Sequence, residues 1–131
     1  MKKLILSLIC LAAAWGAAAK VELPEIIGSD MVLQQNAQCR LWGWADPGRK
    51  VTVTTSWDGV SYTATAAGDG GWLVKVKTPA WGGPYTIDIR EGETVTLRNV
   101  MIGEVWVCSG QSNMQYRVRG SINQHMENTA E

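Results

Sequence analysis

Short stretches in which apolar and polar residues alternate fill the chain between residues 41 and 98. In one of them Val51 and Val53 alternate with threonines, and in another Tyr85, Ile87 and Ile89 alternate with polar residues. A period of two is typical of a β-strand with one buried face. The alternating stretches occur at 41–44, 51–54, 61–66, 72–77, 85–90 and 94–98. With a turn signal about every eight to twelve residues, the pattern predicts a mainly β fold, an antiparallel β-sandwich of immunoglobulin-like size.

Glycine-rich turns separate the predicted strands. Gly68-Asp69-Gly70-Gly71 predicts a hairpin between the stretches at 61–66 and 72–77, because glycine and aspartate readily adopt the positive φ angles of tight turns. Glu91-Gly92-Glu93 predicts a second hairpin. Before residue 110 the sequence shows no helical periodicity.

The tryptophans divide into two groups. Trp42, Trp44 and Trp72 lie on predicted strands, and we expect them to fill the core, because an indole buries a large apolar area. An aromatic platform that stacks on a sugar is the alternative for these three residues. Trp81 lies in a glycine- and proline-rich loop and is the candidate for a sugar contact at the surface.

The pattern changes at Val100. Residues 100–108 form a nearly continuous apolar run, which is typical of a strand buried on both faces, as in a parallel sheet. The sequence offers this run no evident sheet partner, so we expect it to join the edge of the sandwich or to stay exposed and favour aggregation. Glu104 is expected to face a loop or to pair with an arginine such as Arg98.

A candidate nucleophile follows the apolar run. Ser109-Gly110-Gln111-Ser112-Asn113 comes straight after it, and a more polar stretch at 115–131 follows. A strand, a tight glycine turn, a serine and then a helix are the layout of a nucleophile elbow. In such a layout Gly110 allows close approach, and the N–H groups at the helix start can stabilise an oxyanion. The alternative, Ser112 or Asn113 as a simple helix cap, stays open.

The first nineteen residues predict a secretory signal. Lys2 and Lys3 precede an apolar run of about twelve residues, and Ala17-Ala18-Ala19 supplies small residues for cleavage before Lys20. A short N-terminal membrane anchor is the alternative. Export would make the protein secreted or periplasmic, with no membrane contact after the signal is removed. Removing two of the 12 basic residues leaves ten against 12 acidic ones, and this balance does not suggest a nucleic-acid partner.

No cofactor or metal is expected. The mature chain has one histidine, His125, and two well-separated cysteines, which do not make a metal-ligand set. Cys39 and Cys108 can pair in an oxidising compartment or remain free, and the sequence does not decide between the two.

Five segments together resemble one enzyme family. The residues EVWVCSGQSNM at 104–114 strongly resemble the nucleophile block of the sialate O-acetylesterase family, carbohydrate esterases of the SGNH hydrolase superfamily. Four upstream segments resemble the N-terminal region of the same family: SDMVLQ at 29–34, WGWADPG at 42–48, DGGW at 69–72 and GGPY at 82–85. The resemblance covers nearly all of the chain after residue 19.

The resemblance implies a serine esterase that removes O-acetyl groups from a sugar, typically sialic acid. It implies that Ser112 is the nucleophile, that its backbone N–H contributes to the oxyanion hole, and that Gly110, Gln111 and Asn113 support the elbow. The family's histidine base and remaining oxyanion donors belong to later blocks that this sequence does not contain. His125 lies thirteen residues after Ser112, about 20 Å away if the stretch is helical, and is not expected to replace the base.

The expected organisation has three parts. Residues 1–19 form the signal peptide, 20–99 the β-sandwich, and 100–131 the first strand and nucleophile elbow of an incomplete α/β SGNH-type domain. The partner is an acetylated carbohydrate, sialic acid or another sugar, and the 131 residues alone are expected to be inactive. The alternatives are a stand-alone β-sandwich that binds glycans without catalysis and a decayed gene without function.

Overall fold

Seven β-strands make up most of the described structure. The computed structural model describes residues 20–111 and residue 114, so the predicted signal 1–19 lies outside the described residues, as do Ser112, Asn113 and His125. The strands are β1 (Val32–Gln34), β2 (Gln38–Trp44), β3 (Lys50–Thr55), β4 (Ser61–Thr65), β5 (Gly71–Lys77), β6 (Gly82–Arg90) and β7 (Thr94–Gly103). The prediction of a mainly β fold is confirmed.

The strands form two sheets. Five of them lie in the order β1-β7-β6-β3-β4, and β2 pairs with β5 in a second sheet of two strands. The strands predicted from the sequence pair antiparallel, whereas β1, which was not among them, runs parallel to β7, with Val32 opposite Met101 and Gln34 opposite Gly103. No hairpin turn joins these two strands, which come from the two ends of the described chain, and so nothing imposes the antiparallel direction on them.

The predicted hairpin at 68–71 is a turn between the two sheets. β4 pairs with β3, whereas β5 pairs with β2, so the strands on either side of the turn are not partners. The reason is a contact with the end of β2: the Ala45 N–H donates to the carbonyl of Gly70 at 2.9 Å. The hairpin predicted at 91–93 is confirmed, because β6 and β7 pair as antiparallel neighbours across it.

One hydrophobic core lies between the sheets. The predicted inward residues Val51 and Val53 of β3 are fully buried, as are Ile87 and Ile89 of β6. The two-stranded sheet adds Leu41, Trp72, Val74 and Val76 to the same cluster. The alternation seen in the sequence therefore corresponds to one face of each strand turned toward this core.

Two of the three tryptophans that were expected in the core point outward. Trp72 is buried as predicted, whereas Trp42 and Trp44 are 37% and 47% exposed. Gly43, between them, lies on the buried face of β2. The backbone carbonyl of Glu22 occupies the space there that a Cβ atom of residue 43 would need. The close approach of this backbone leaves no room for a side chain and turns both indoles to the opposite face.

The apolar run 100–108 is not buried on both faces; in line with the expectation for a run without its own sheet partner, its first residues join the larger sheet and its later ones stay exposed. Residues 100–103 complete β7, in which Val100 and Ile102 face the core while Met101 faces outward, and they pair with both β6 and β1. After Gly103 the chain leaves the sheet, because β1 ends opposite this residue. Trp106 and Val107 are consequently 83% and 92% exposed.

The turn between the sheets provides a test of this geometry. Gly70 and Gly48 both have positive φ, 82° and 77°, but a Cβ atom on Gly70 would lie 2.7 Å from the Ala45 carbonyl, whereas one on Gly48 would meet nothing within 4 Å. We expect Gly48→Ala to lower the free energy of unfolding by about 1–2 kcal/mol, the cost of the left-handed conformation. Gly70→Ala should lower it clearly further. Urea denaturation of both variants measures the difference, and equal losses would contradict the close contact.

Candidate functional site

The segment that leads to the candidate nucleophile leaves the sheet at the end of β7. Gly110 and Gln111 are exposed and outside any strand, while the predicted Ser112 and Asn113 lie outside the described residues. A 3.0 Å hydrogen bond joins the Met114 N–H to the Gln111 carbonyl across these two positions. A Cβ atom on Gly110 would lie 3.2 Å from Cγ of Met114, a close contact with an exposed side chain. The roles assigned to these residues remain predictions.

Glu104 is held by two neutral amides. Its carboxylate accepts a 3.0 Å hydrogen bond from Nε2 of Gln34 at one oxygen and a shorter bond from Nε2 of Gln35 at the other. Of the two expectations for Glu104, a position in a loop is confirmed, because the residue is exposed and follows β7, whereas pairing with an arginine such as Arg98 is not what the structure shows. Because hydrogen bonds to a carboxylate favour its charged form, Gln34 and then Gln35 lower the pKa of Glu104, against an opposing effect of desolvation.

The two glutamines also hold backbone groups of two other segments. Oε1 of Gln34 accepts the Val105 N–H at 2.8 Å, and Oε1 of Gln35 accepts the Trp81 N–H at 3.0 Å. We call Gln34, Gln35 and Glu104 the glutamine anchor. It connects the end of β1 with the segment 104–111 and with the loop before β6.

The parallel register of β1 and β7 explains why these residues meet. Because Gln34 lies opposite Gly103, the glutamines stand beside the first residues that follow β7. The Gln35 N–H also donates to the Gly103 carbonyl at 2.8 Å. Sequence reasoning missed this cluster, since about seventy residues separate its members and no local pattern links them. The segment 29–34 signalled a family resemblance without indicating a contact.

Trp81 lies at the edge of the same cluster. It belongs to the loop between β5 and β6, and 78% of its surface is exposed, so its indole is accessible to a ligand. The anchor fixes its backbone and leaves its ring in solvent. Its assignment as a sugar contact remains a prediction.

The described residues contain few other chemical candidates. Cys39 is half-buried and Cys108 is exposed, and both are free thiols. Between residues 20 and 111, no group of three or more histidine, cysteine or acidic side chains could hold a metal ion. A helix long and apolar enough to cross a membrane is likewise not found within that range.

The pKa of Glu104 supplies a test of the anchor. A lowered pKa means that the charged carboxylate is favoured in the folded protein, so the anchoring is complete above the ordinary pKa of 4.5 and is lost as the pH falls through the lowered value. We expect an NMR titration of the Glu104 carboxyl carbon to give a midpoint below 4.5, and Gln34→Ala to move it upward. Gln35→Ala should also move it upward. A midpoint that neither variant changes would contradict the contact.

Comparison with known proteins identifies the relatives of the chain. No family model matches it. It is 32% identical to sialate O-acetylesterase from Homo sapiens over 97% of its own length and 27% of the relative, and 33% identical to the Rattus norvegicus protein over 95% and 25%. A crystal structure of a carbohydrate acetylesterase from Xanthomonas citri superposes with a TM-score of 0.68 and 32% identity, over 76% of this chain and 23% of the other. The chain spans about a quarter of the length of the curated relatives it matches. It is thus a relative of the sialate O-acetylesterases over nearly all of its own length.

Proposed function

We propose that this chain is the N-terminal part of an exported serine carbohydrate esterase that removes O-acetyl groups from a sugar. The observation that carries the proposal is the 32% identity to sialate O-acetylesterase over 97% of the chain. The likeness to a carbohydrate acetylesterase structure supports the same class of reaction. Acetylated sialic acid is the first candidate substrate because the curated relatives bear its name, and another acetylated sugar is the second.

Ser112 supplies the nucleophile in this proposal. Its Oγ forms a bond to the acetyl carbonyl carbon, the bond from that carbon to the sugar oxygen breaks, and the sugar leaves with the proton taken from the serine. Water then attacks the acetyl-serine carbonyl carbon, the bond from that carbon to Oγ breaks, one proton of the water goes to Oγ of Ser112, and acetic acid leaves as acetate and a proton. The backbone N–H of Ser112 stabilises the oxyanion, with Gly110, Gln111 and Asn113 supporting the turn. The general base and the other donors come from outside these 131 residues.

The domain organisation is part of the proposal. An immunoglobulin-like β-sandwich occupies 20–99, and 100–131 begins the catalytic domain, with 100–103 shared with β7. The two sheets around one core support the sandwich. The basic and apolar composition of 1–19 supports a signal peptide and a secreted or periplasmic location. Since the relatives are about four times as long, the catalytic machinery is assigned to the continuation of the polypeptide, and the 131 residues alone are inactive.

The nucleophile assignment is tested in the polypeptide extended by its downstream coding sequence. We expect Ser112→Ala to lower kcat for an aryl acetate by at least about 10³-fold, since loss of a catalytic serine leaves only the contributions of binding and the oxyanion hole. Ser109→Ala is the matched control, because Ser109 is an exposed serine three residues earlier in the same segment. Full activity of Ser112→Ala would refute the assignment. Hydrolysis by 20–131 alone that disappears in Ser112→Ala would refute the inactivity of this part.

The sugar contact is tested by comparing two exposed tryptophans. Trp81→Ala should raise KM for an acetylated sugar by up to about tenfold, the effect of losing one stacked aromatic ring, while kcat changes little. Trp44→Ala is the control, because Trp44 is also exposed but lies on β2, away from the anchor. Equal effects of the two variants would contradict the assignment.

The exposure of Trp81 also favours a second function, glycan binding without catalysis, which calorimetry of 20–131 with acetylated sugars would detect.

A further inference from the structure

The side chains of the glutamine anchor form hydrogen bonds to the chain beyond Gly103, the last residue of β7. The backbone ladder between β1 and β7 ends with the bond from the Gln35 N–H to the Gly103 carbonyl. Two residues later the Val105 N–H is again bonded, but to the side-chain carbonyl of Gln34 rather than to a backbone group. Beyond the end of β1, a side-chain hydrogen bond therefore takes the place of the backbone hydrogen bonds of the sheet.

Glutamine suits this position because its amide carries a donor and an acceptor on one plane. Each amide donates to the Glu104 carboxylate and accepts a backbone N–H, which fixes its orientation, since a carboxylate only accepts and an N–H only donates. A charged or apolar side chain could not make both bonds. The carboxylate in turn joins the two amides, because each binds a different one of its oxygens.

The anchor fixes two segments relative to each other. Gln34 holds Val105, seven residues before Ser112, and Gln35 holds Trp81. Because the two glutamines are adjacent in the chain and share Glu104, a displacement of one segment is transmitted to the other. The exposed indole and the start of the nucleophile-bearing segment thus have one common support at the end of β1.

We propose that Gln34 and Gln35 are positioning residues, which set the placement of the segment 104–111 and of the Trp81 loop for the reaction. The inference rests on the proposed function, because positioning matters catalytically only if Ser112 is the nucleophile. In this arrangement Gln34 fixes Val105 and thereby the position from which the chain continues to Ser112. Gln35 fixes the backbone of Trp81 and thereby the position of the proposed substrate contact. The sheet that contains β1 and β7 then forms a structural part of the active site.

The first measurement is amide hydrogen exchange by NMR on residues 20–131. Gln34→Ala should raise the exchange rate at Val105 about tenfold, as expected for the loss of one hydrogen bond, and Gln35→Ala should do the same at Trp81. Gln38→Ala, an exposed glutamine at the start of β2, is the matched control and should change neither. The free energy of unfolding should stay nearly constant. Exchange rates that rise uniformly along the chain would show a merely structural role and overturn the proposal.

A charge-exchange variant tests the chemistry of the anchor. Gln34→Glu alone sets two carboxylates against each other and should raise the exchange rate at Val105. The double variant Gln34→Glu/Glu104→Gln restores one carboxylate and one amide at that contact, with the Val105 N–H still bonded, so protection at Val105 should return. Failure of the double variant to restore protection would overturn the assigned hydrogen-bond pattern.

The second measurement is steady-state kinetics of the extended polypeptide. Gln34→Ala should lower kcat by about tenfold or more with little change in KM, because a small misplacement of a nucleophile is costly. Gln35→Ala should chiefly raise KM through Trp81. Unchanged kcat and KM in both variants would overturn the proposal. If the unmodified polypeptide has no esterase activity, the proposed function fails instead, and the exchange measurement alone decides whether the glutamines position the two segments.

Discussion

The parallel pairing of β1 with β7 is the contact on which the arrangement of the candidate site depends. It is a pairing of only three residues, yet it brings Gln34 opposite Gly103 and places the N-terminal part of the chain beside the segment that follows β7. A strand of three residues contributes little stability by itself. Side chains therefore extend the pairing: the amides of two glutamines and one carboxylate bind the residues that come immediately after the ladder.

The core of the fold has a simpler origin. Alternating valines and isoleucines turn one face of each strand inward, and burying them supplies the main driving force for bringing the two sheets together. The strands of the larger sheet keep polar residues on their outer faces, such as Thr52 and Thr54 of β3 and Thr63 of β4. The contacts that stabilise the fold thus lie mainly between the sheets. The candidate functional site lies at one end of the larger sheet, among loops and exposed side chains.

Much of the fold could be predicted from local pattern, because a period of two reports directly on which residues share a face. The burial of Val51 and Val53 follows from that pattern. The orientation of β2 does not, since the alternation places Trp42 and Trp44 together without saying which face is inward. The deciding contact, the Glu22 backbone against Gly43, is not visible in the local sequence pattern.

The same holds for the candidate site: the serine-containing motif is apparent in the sequence, whereas the glutamine anchor depends on a register between distant strands. The apolar pattern at 105–107 is typical of burial, but these residues lie beyond the last strand of the sheet and are exposed, as the lack of a sheet partner led us to expect.

The anchor contains a single formal charge and no cation, which determines how it responds to dissolved salt. An ion pair between two exposed side chains weakens as ionic strength rises, because mobile ions screen the attraction between opposite charges. A carboxylate held by amide dipoles at hydrogen-bond distance depends on short-range geometry, so there is no opposite charge for added salt to screen. The segment that follows β7 is therefore attached to the end of β1 by contacts whose strength depends less on dissolved salt than that of an exposed ion pair.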